Sequence, residues 1–561
     1  MADAPAEQAA APPPAEQAPA VSGEAVEGGE AGPSKKALKK AEAKAKKEAE
    51  KARRAAEHEA RQSAAKAAAG NTEDLAKDNY GDSTHLTKID AERVKLRNLS
   101  DEHLGKTIKL RAWIQNARMQ GAKMAFVELR EERDWAIQGV VAASSEGTPA
   151  KVVKPQEPVK SVKVSNYELH ISKCYVISPG PQVLGMGLAV ANRPVTNFDD
   201  EDAGGPVEEV KEGVDNLSLE NVPGASMATH LNNPVMHKRA PVQQAIADVR
   251  LAVRKLFVEY LEARDFVQFE APCLIGAASE GGSNVFGMPY FDKQAYLAQS
   301  PQFYKQYEIA GGRKRVLCIG PVFRAENSNT PRHMTEFTGL DLEMEIEDHY
   351  HEVRDMLEGV LLHIFRGLQE RCAEQIALVR TVYPSEDFLL PKPGKEVRLT
   401  FAEGQALLRA EGPEEYRNVS DEEDMSTPQE KALGALIREK YSTDFYVLDK
   451  FPEGARPFYA LEDPENPKVT NAFDFFMRGQ EILSGGQRIH VPETLEARIR
   501  TKGIDPKSQG IKEYVDIFRS AGVPPHGGGG IGLDRVVAWY LNLPSVHLAS
   551  YYPRTPKRLL P

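Results

Sequence analysis

The stretch Gly320-Pro-Val-Phe-Arg-Ala-Glu326, continued by Asn327-Ser-Asn-Thr-Pro-Arg-His-Met-Thr-Glu-Phe337, decides how the rest of the chain is read. An apolar run enters an arginine, a polar loop follows with a second arginine, and a new strand pattern opens near Phe337. That is a strand, a loop and a strand, with Arg324 at the rim and Arg332 in the loop. A guanidinium is planar and stays charged, so both residues suit phosphate oxygens. A second stretch, Gly527-Gly-Gly-Gly-Ile-Gly-Leu-Asp-Arg535, formally contains GxGxxG at 527, 529 and 532. Too little chain follows it for the βαβ unit that a dinucleotide site needs. Its glycines instead let a backbone approach closely, with Arg535 on the first turn of a following helix.

Working outward, the chain reads as globular and α/β from Pro241. Pro241 opens an amphipathic helix with Val242, Ile246, Val249, Val253, Leu256, Phe257, Tyr260 and Leu261 on its apolar side. A strand pattern ending at Pro272 follows. A second long helix is expected over 349–377, with Val353, Met356, Leu357, Val360, Leu361, Ile364 and Phe365 inward. Strand patterns recur at 314–324, 337–346, 472–477 and 481–489, and a helix is expected from Gly532 to Leu541.

Upstream, residues 105–200 hold five or six short strands: Ile108–Ile114, Met124–Leu129, Ala136–Val141, Val159–Val164 and Tyr167–Ile177. A five-stranded β-barrel of the OB type is the expectation, a fold that binds single-stranded nucleic acid on exposed aromatics. Residues 201–240 read as a hinge or insertion; within 199–226 the run Asp199-Asp-Glu-Asp-Ala-Gly-Gly-Pro206 is acidic and rich in turn residues. Residues 71–104 are a linker. Residues 1–33, rich in Ala, Pro and Glu, read as a disordered tail without the pattern of a secretory or transit signal. Residues 34–70 are free of Pro and Gly until Gly70 and read as a basic helical arm. Between 34 and 54 it has ten basic and three acidic residues, a local +7 in a chain of net charge −11. Lys36, Lys40, Lys44, Lys47, Lys51 and Arg54 share a helical face, a pattern suited to RNA phosphates. The four cysteines, Cys174, Cys273, Cys318 and Cys372, form no CxxC pair, so no disulfide scaffold or zinc site is expected. No run is apolar and long enough to span a membrane, and a cytoplasmic location is the expectation.

The Phe-Arg-Ala-Glu strand with its loop arginine, followed much later by GxGxxR, resembles motifs 2 and 3 of class II aminoacyl-tRNA synthetases. The helix and strand ending at Pro272 resemble motif 1, whose family role is the dimer interface. No P-loop and neither signature of the class I enzymes is present. A barrel ahead of the catalytic domain is similar to the aspartate, asparagine and lysine group. Ser279-Glu-Gly-Gly-Ser283, Gln299-Ser-Pro-Gln-Phe-Tyr-Lys305, Phe337-Thr-Gly-Leu-Asp-Leu-Glu343, Ile482-Leu-Ser-Gly-Gly-Gln-Arg-Ile-His490 and Pro553-Arg-Thr-Pro-Lys-Arg-Leu-Leu-Pro561 are similar to eukaryotic cytosolic aspartyl-tRNA synthetases. The arm looks like the RNA-binding extension of lower-eukaryotic members. Two departures stand out: Thr229-His-Leu-Asn-Asn-Pro-Val-Met-His-Lys-Arg239 replaces the usual sequence ahead of motif 1, and the acidic insertion is atypical.

The resemblance implies two steps: L-aspartate reacts with ATP to give aspartyl-adenylate and pyrophosphate, and the aspartyl group passes to the 3′ end of tRNA(Asp). It implies that 241–561 is one α+β catalytic domain built on an antiparallel sheet, and it implies a homodimer, Mg²⁺ accompanying ATP, and no membrane. Arg324 would hold the α-phosphate, and Arg332 and Arg535 the γ-phosphate end. His333, Met334, Glu326 and Gly532 would complete the ATP site, with Phe337 stacking on adenine. Asp474 and Glu481 would carry Mg²⁺. Lys305 and Arg488 would meet the substrate side-chain carboxylate, Gln302 and Asp341 would arrange them, and Glu280 and Ser484 would receive the ammonium. Glu343 would be a neighbour of the phosphate and Mg²⁺ residues. Phe126, Gln138 and Glu168 would meet anticodon bases, and Lys35, Lys36, Lys39 and Lys40 the tRNA backbone.

Overall fold

The computed structural model describes residues 80–82, 91–121, 123–142, 151–181, 183–198, 223–277, 285–328 and 330–560. The tail 1–33, the arm 34–70 with its four named lysines, most of the acidic insertion, and Glu280 lie outside the described residues. Every element below belongs to one unit, Asp82–Pro561.

The β-rich segment holds β1 (Trp113–Met119), β2 (Met124–Arg130), β3 (Ala136–Ala142), β4 (Lys151–Val153) and β5 (Glu168–His170). Their order is β1-β2-β3-β5-β4, antiparallel apart from the parallel pair β3 and β5. Ile137, Val152, Val164 and Leu169 close on Leu96 as its core. The strand expected over Val159–Val164 is a run of turns and bends. Its valines stand at 159, 162 and 164, a spacing of three then two, so Val162 and Val164 are buried without a ladder. The fourth strand is Lys151–Val153, too short to show alternation. The run Tyr167–Ile177 is likewise broken into Glu168–His170 and Cys174–Val176.

Eight strands build the larger sheet: β6 (Val267–Gln268), β7 (Arg315–Phe323), β8 (Glu336–Glu345), β9 (Val397–Thr400), β10 (Phe445–Asp449), β11 (Ala472–Met477), β12 (Gln480–Gln487) and β13 (His526–Gly532). The order is β6-β7-β8-β13-β12-β11-β10-β9. The interior pairs are antiparallel, but β6 with β7 and β9 with β10 are parallel, so the sheet is mixed and not antiparallel throughout. Each parallel pair is joined by a long crossover, as parallel pairing requires. The β9–β10 crossover contains the helices Phe401–Glu411 and Thr427–Tyr441.

Five helices matter for the site: α1 (Pro241–Glu262), α2 (Gln302–Ala310), α3 (His351–Arg371), α4 (Thr427–Tyr441) and α5 (Leu533–Tyr540). The expected apolar stripe of α1 is buried except for Tyr260, and that of α3 except for Met356. A fully buried side chain of this size contributes about 2 kcal/mol. The helix expected over 349–377 breaks at Cys372 (φ −123°, ψ 18°) and restarts as Ala373–Arg380. Arg250 on α1 donates from Nη1 to Asp534 Oδ1 (2.6 Å) and from Nη2 to Thr338 Oγ1 (2.9 Å). The Thr338 amide donates to Asp534 Oδ2 (3.0 Å), which ties α1, β8 and α5 together beside the glycine strand. The segment before α1, expected as a hinge, forms helices Met227–Asn232 and Pro234–Arg239. Their buried His230 and His237 face each other, Nδ1 to Nδ1 at 3.0 Å. No helix among the described residues is long and apolar enough to cross a membrane.

Candidate active site

In β8 the alternation that buries Leu340, Leu342 and Met344 among the core residues turns Phe337, Gly339, Asp341 and Glu343 to the opposite face. That face is the floor of a cavity of about 570 Å³. Every residue expected in the ATP, aspartate and metal sets lines this cavity, apart from Glu280. The register explains the gathering. Asp341 pairs with Gly530, Gly530 with Ser484, and Ser484 with Asp474, one row across β8, β13, β12 and β11. Strands stand about 4.8 Å apart, so the row spans roughly 14 Å, with a glycine where a side chain would fill the middle.

At one end lies a buried charge cluster. Lys305 of α2 donates from Nζ to Asp341 Oδ1 (3.1 Å) and lies 3.3 Å from Glu343 Oε2. Arg488 donates from Nε to Glu343 Oε1 (2.9 Å). Lys305 is 2% exposed and Glu343 0%, so solvent does not screen these pairs. Burial would push the Glu343 carboxyl up, but Arg488 and Lys305 outweigh it and hold it below its ordinary value. Glycines make the space: a Cβ on Gly528 would sit 2.1 Å from Glu343 Oε2, and one on Gly530 2.9 Å from Asp341 Oδ1. The stretch 527–532, whose glycines suit close backbone approach, is a central strand of the sheet. Gln302 Nε2, at the start of α2, is buried with no hydrogen-bond partner.

At the other end stand the acidic pair and the arginines. A register shift between Phe475 and Phe476 makes Ser484 pair with Asp474 while Glu481 pairs with Phe476. This bulge puts an odd- and an even-numbered residue of β12 on one face, which aims Glu481 into the site beside Ser484. Burial pushes the Asp474 carboxyl up to about 6; Arg456 pulls it down and Glu481 pushes it further up. Arg535 Nη1 donates to the Glu481 carbonyl oxygen (3.2 Å) and lies 3.5 Å from Glu481 Oε1. Arg324 is placed over the Phe337 ring, 5.4 Å from its centroid. Arg332 donates to Thr427 Oγ1 and, from Nη2, to Glu430 Oε2 (3.1 Å), both on α4. His333 Nδ1 is 2.6 Å from Thr330 Oγ1, and burial with the nearby Arg535 lowers its pKa.

Residues that the sequence reading left out also reach the site. Arg456 and Asp424 line the cavity, and Glu430 anchors Arg332. All three come from the chain between β9 and β11. Arg456 sits in Phe451-Pro-Glu-Gly-Ala-Arg-Pro457, a Pro/Gly loop with no periodicity to flag it. In the β-rich sheet, Phe126 lies opposite Arg118, Gln138 opposite Glu128, and Glu168 opposite Gln138, so the three expected base-contacting residues share one face. Gln138 Nε2 donates to Glu168 Oε2 (2.6 Å), and Arg118 covers the Phe126 ring at 5.7 Å. Pro272 is exposed between β6 and the strand Leu274–Ile275.

The family model for class II tRNA synthetases (D, K and N) matches residues 226–556. The cytoplasmic aspartate–tRNA ligase of Rattus norvegicus is 42% identical over 510 residues, covering 87% of this chain and 96% of its own. That of Pongo abelii is 41% identical over the same lengths. The solved aspartyl tRNA synthetase of Entamoeba histolytica superposes with a TM-score of 0.74 at 34% identity, covering 86% of this chain and 96% of its own. With the arginine-bearing strand–loop–strand, the glycine strand and the acidic pair meeting in one cavity, the chain belongs to the class II tRNA synthetases of the D, K and N group.

Proposed function

We propose that this chain is a cytoplasmic aspartate–tRNA ligase, and that the buried Lys305–Asp341–Glu343–Arg488 cluster reads the substrate side chain. Asp341 and Glu343 fix the two cations in place. Lys305 has three donors and Arg488 five, so each keeps donors for a ligand after its carboxylate contacts. A β-carboxylate accepts from both cations. An amide would set an uncharged NH₂ group against them in a water-poor pocket, and asparagine is refused by that mismatch.

The aspartate α-carboxylate attacks the α-phosphorus of ATP, the bond to pyrophosphate breaks, and aspartyl-adenylate forms. The terminal ribose hydroxyl of tRNA(Asp) then attacks the activated carbonyl and AMP leaves. No side chain becomes covalently attached, so the residues act by position and charge. Arg324 stands at the α-phosphate, where charge develops, with Phe337 as the adenine platform. Arg332 and Arg535 hold the distal phosphates, with Glu326, His333, Met334 and Gly532 around them. Gln302, with its unpartnered Nε2, Ser484 and Glu280 serve the amino-acid backbone.

Mg²⁺ fits the acidic pair. Asp474 Oδ1 is buried with no hydrogen-bond partner, and Glu481 lies on the same face. Among the described residues no group of three or more His, Cys, Asp or Glu side chains could hold a metal. Two carboxylates completed by substrate phosphates and water are the usual Mg²⁺ set. When bound, the ion offsets phosphate charge between them.

The strand order β1-β2-β3-β5-β4 supports an OB barrel for the β-rich segment, with Phe126 stacking on a base and Gln138 and Glu168 bonding base edges. The basic arm with Lys35, Lys36, Lys39 and Lys40 adds phosphate contacts. Exposed Val267 and Leu274 flank Pro272 at the β6 edge, which supports a homodimer through that edge.

The deciding experiment is amino-acid-dependent pyrophosphate–ATP exchange with aspartate, asparagine and lysine. Exchange with aspartate alone, reduced 100-fold or more by Lys305→Ala, is expected. Exchange with another amino acid overturns the specificity, and no exchange overturns the activity.

A further inference from the structure

We propose that Arg456 is a positioning residue that aims the Asp474 carboxylate at the metal and locks the amino-acid end of the cavity to the phosphate end. Arg456 Nη2 donates to Asp474 Oδ2 and Nη1 to Ser484 Oγ, each at 2.7 Å. Asp474 and Ser484 face each other across β11 and β12, so the planar fork closes over one cross-strand pair. With Oδ2 committed to the fork, Oδ1 is the oxygen left for a ligand, and it is the buried atom without a partner. A group that holds a metal-binding carboxylate in one rotamer raises the affinity of the site, and its loss typically weakens metal binding 10- to 100-fold.

Arg456 is itself held in place. Its guanidinium lies over the Phe451 ring at 3.8 Å. Its loop is docked on both sides: Leu461 N donates to Gln487 O (3.0 Å) and Ile489 N to Tyr459 O (2.9 Å), on either side of Arg488. Lys502 Nζ reaches Glu453 Oε1 at 2.9 Å. The loop that delivers Arg456 to the metal carboxylate is thus bonded to the backbone that delivers Arg488 to the aspartate pocket.

This inference rests on the aspartate and ATP reading above, and the test separates the two. Wild-type exchange with aspartate first establishes that reading. ATP binding is then measured on the full chain without aspartate, once with Mn²⁺ and once in chelator, for wild type, Arg456→Ala and Arg456→Lys. The quantity read is the factor by which Mn²⁺ tightens ATP binding. It is expected to shrink 10-fold or more in Arg456→Ala, and less in Arg456→Lys, which keeps the charge but not the fork. A general loss of structure lowers both affinities and leaves the factor unchanged, so an unchanged factor in both variants overturns the proposal. A larger factor also overturns it, since Arg456 would then be competing with the ion for Asp474.

Discussion

At Gly528 a Cβ would meet Glu343 Oε2 and the Leu342 carbonyl oxygen at 2.1 Å, and both are fixed, one by Arg488 and one by the sheet. Gly528→Ala is therefore an overpacking change at a site that cannot give, expected to cost about 1–3 kcal/mol. Because the strain falls on Glu343 and through it on Arg488, the KM for aspartate should rise as well. Denaturant unfolding and exchange kinetics check the two halves, and a fully stable variant with a wild-type KM would show that the strands can part there. That the charged residues of the site would gather in one cavity was legible because they stand in recognisable strings. Arg456 was not: it works through two neighbours in a loop whose sequence has no period. Glu481 was legible as an acid, but its direction depends on a bulge that local sequence does not announce.

Helix α4 supplies the clearest prediction among the elements, since it lends Thr427 and Glu430 to the loop arginine Arg332. Burial pushes the Glu430 carboxyl from 4.5 up to about 7, with Arg332 pulling against it and Glu481 adding to the rise. Between those two values the folded chain keeps a proton that the unfolded chain has released, so stability falls as pH rises through that window. Glu430→Gln removes the titration. The variant should match wild type near pH 4 and gain on it as pH approaches 7, by on the order of 3 kcal/mol at the upper end. Unfolding free energies across pH 4–7 test this, and a flat difference would place the carboxyl in its ordinary range. The helices that open at Pro241 and His351 were readable because their stripes run for several turns, apart from the break at Cys372, whereas α4 itself was not read from the sequence. The short strands were harder. Lys151–Val153 has no room for a pattern, and Val159–Val164 shows how buried valines in a turn can imitate one.

For the molecule as a whole, the proposed separation of base reading from chemistry is testable at Phe126. Phe126→Ala should weaken tRNA binding by about 1–3 kcal/mol, the worth of one stacked base, and leave aspartate-dependent exchange at the wild-type rate. Equal losses in both assays would mean that the substitution unfolds more than its own sheet. The stretch 71–104, expected as a linker, sends Leu96 into the core of the β-rich segment. The parallel edges of the large sheet were not readable, because pairing sense belongs to residues far apart in the chain: Val267 with Val316, and Val397 with Tyr446. The position of β13 has a further consequence. It is the last strand of the sheet in chain order, yet it lies in the interior, between β8 and β12. As the polypeptide leaves the ribosome, the two halves of the sheet must wait with facing edges open. Such edges invite pairing with one another or with other nascent chains. Birth of this protein is thus a race between the arrival of one glycine-rich ribbon and the premature closure of the gap it is meant to fill.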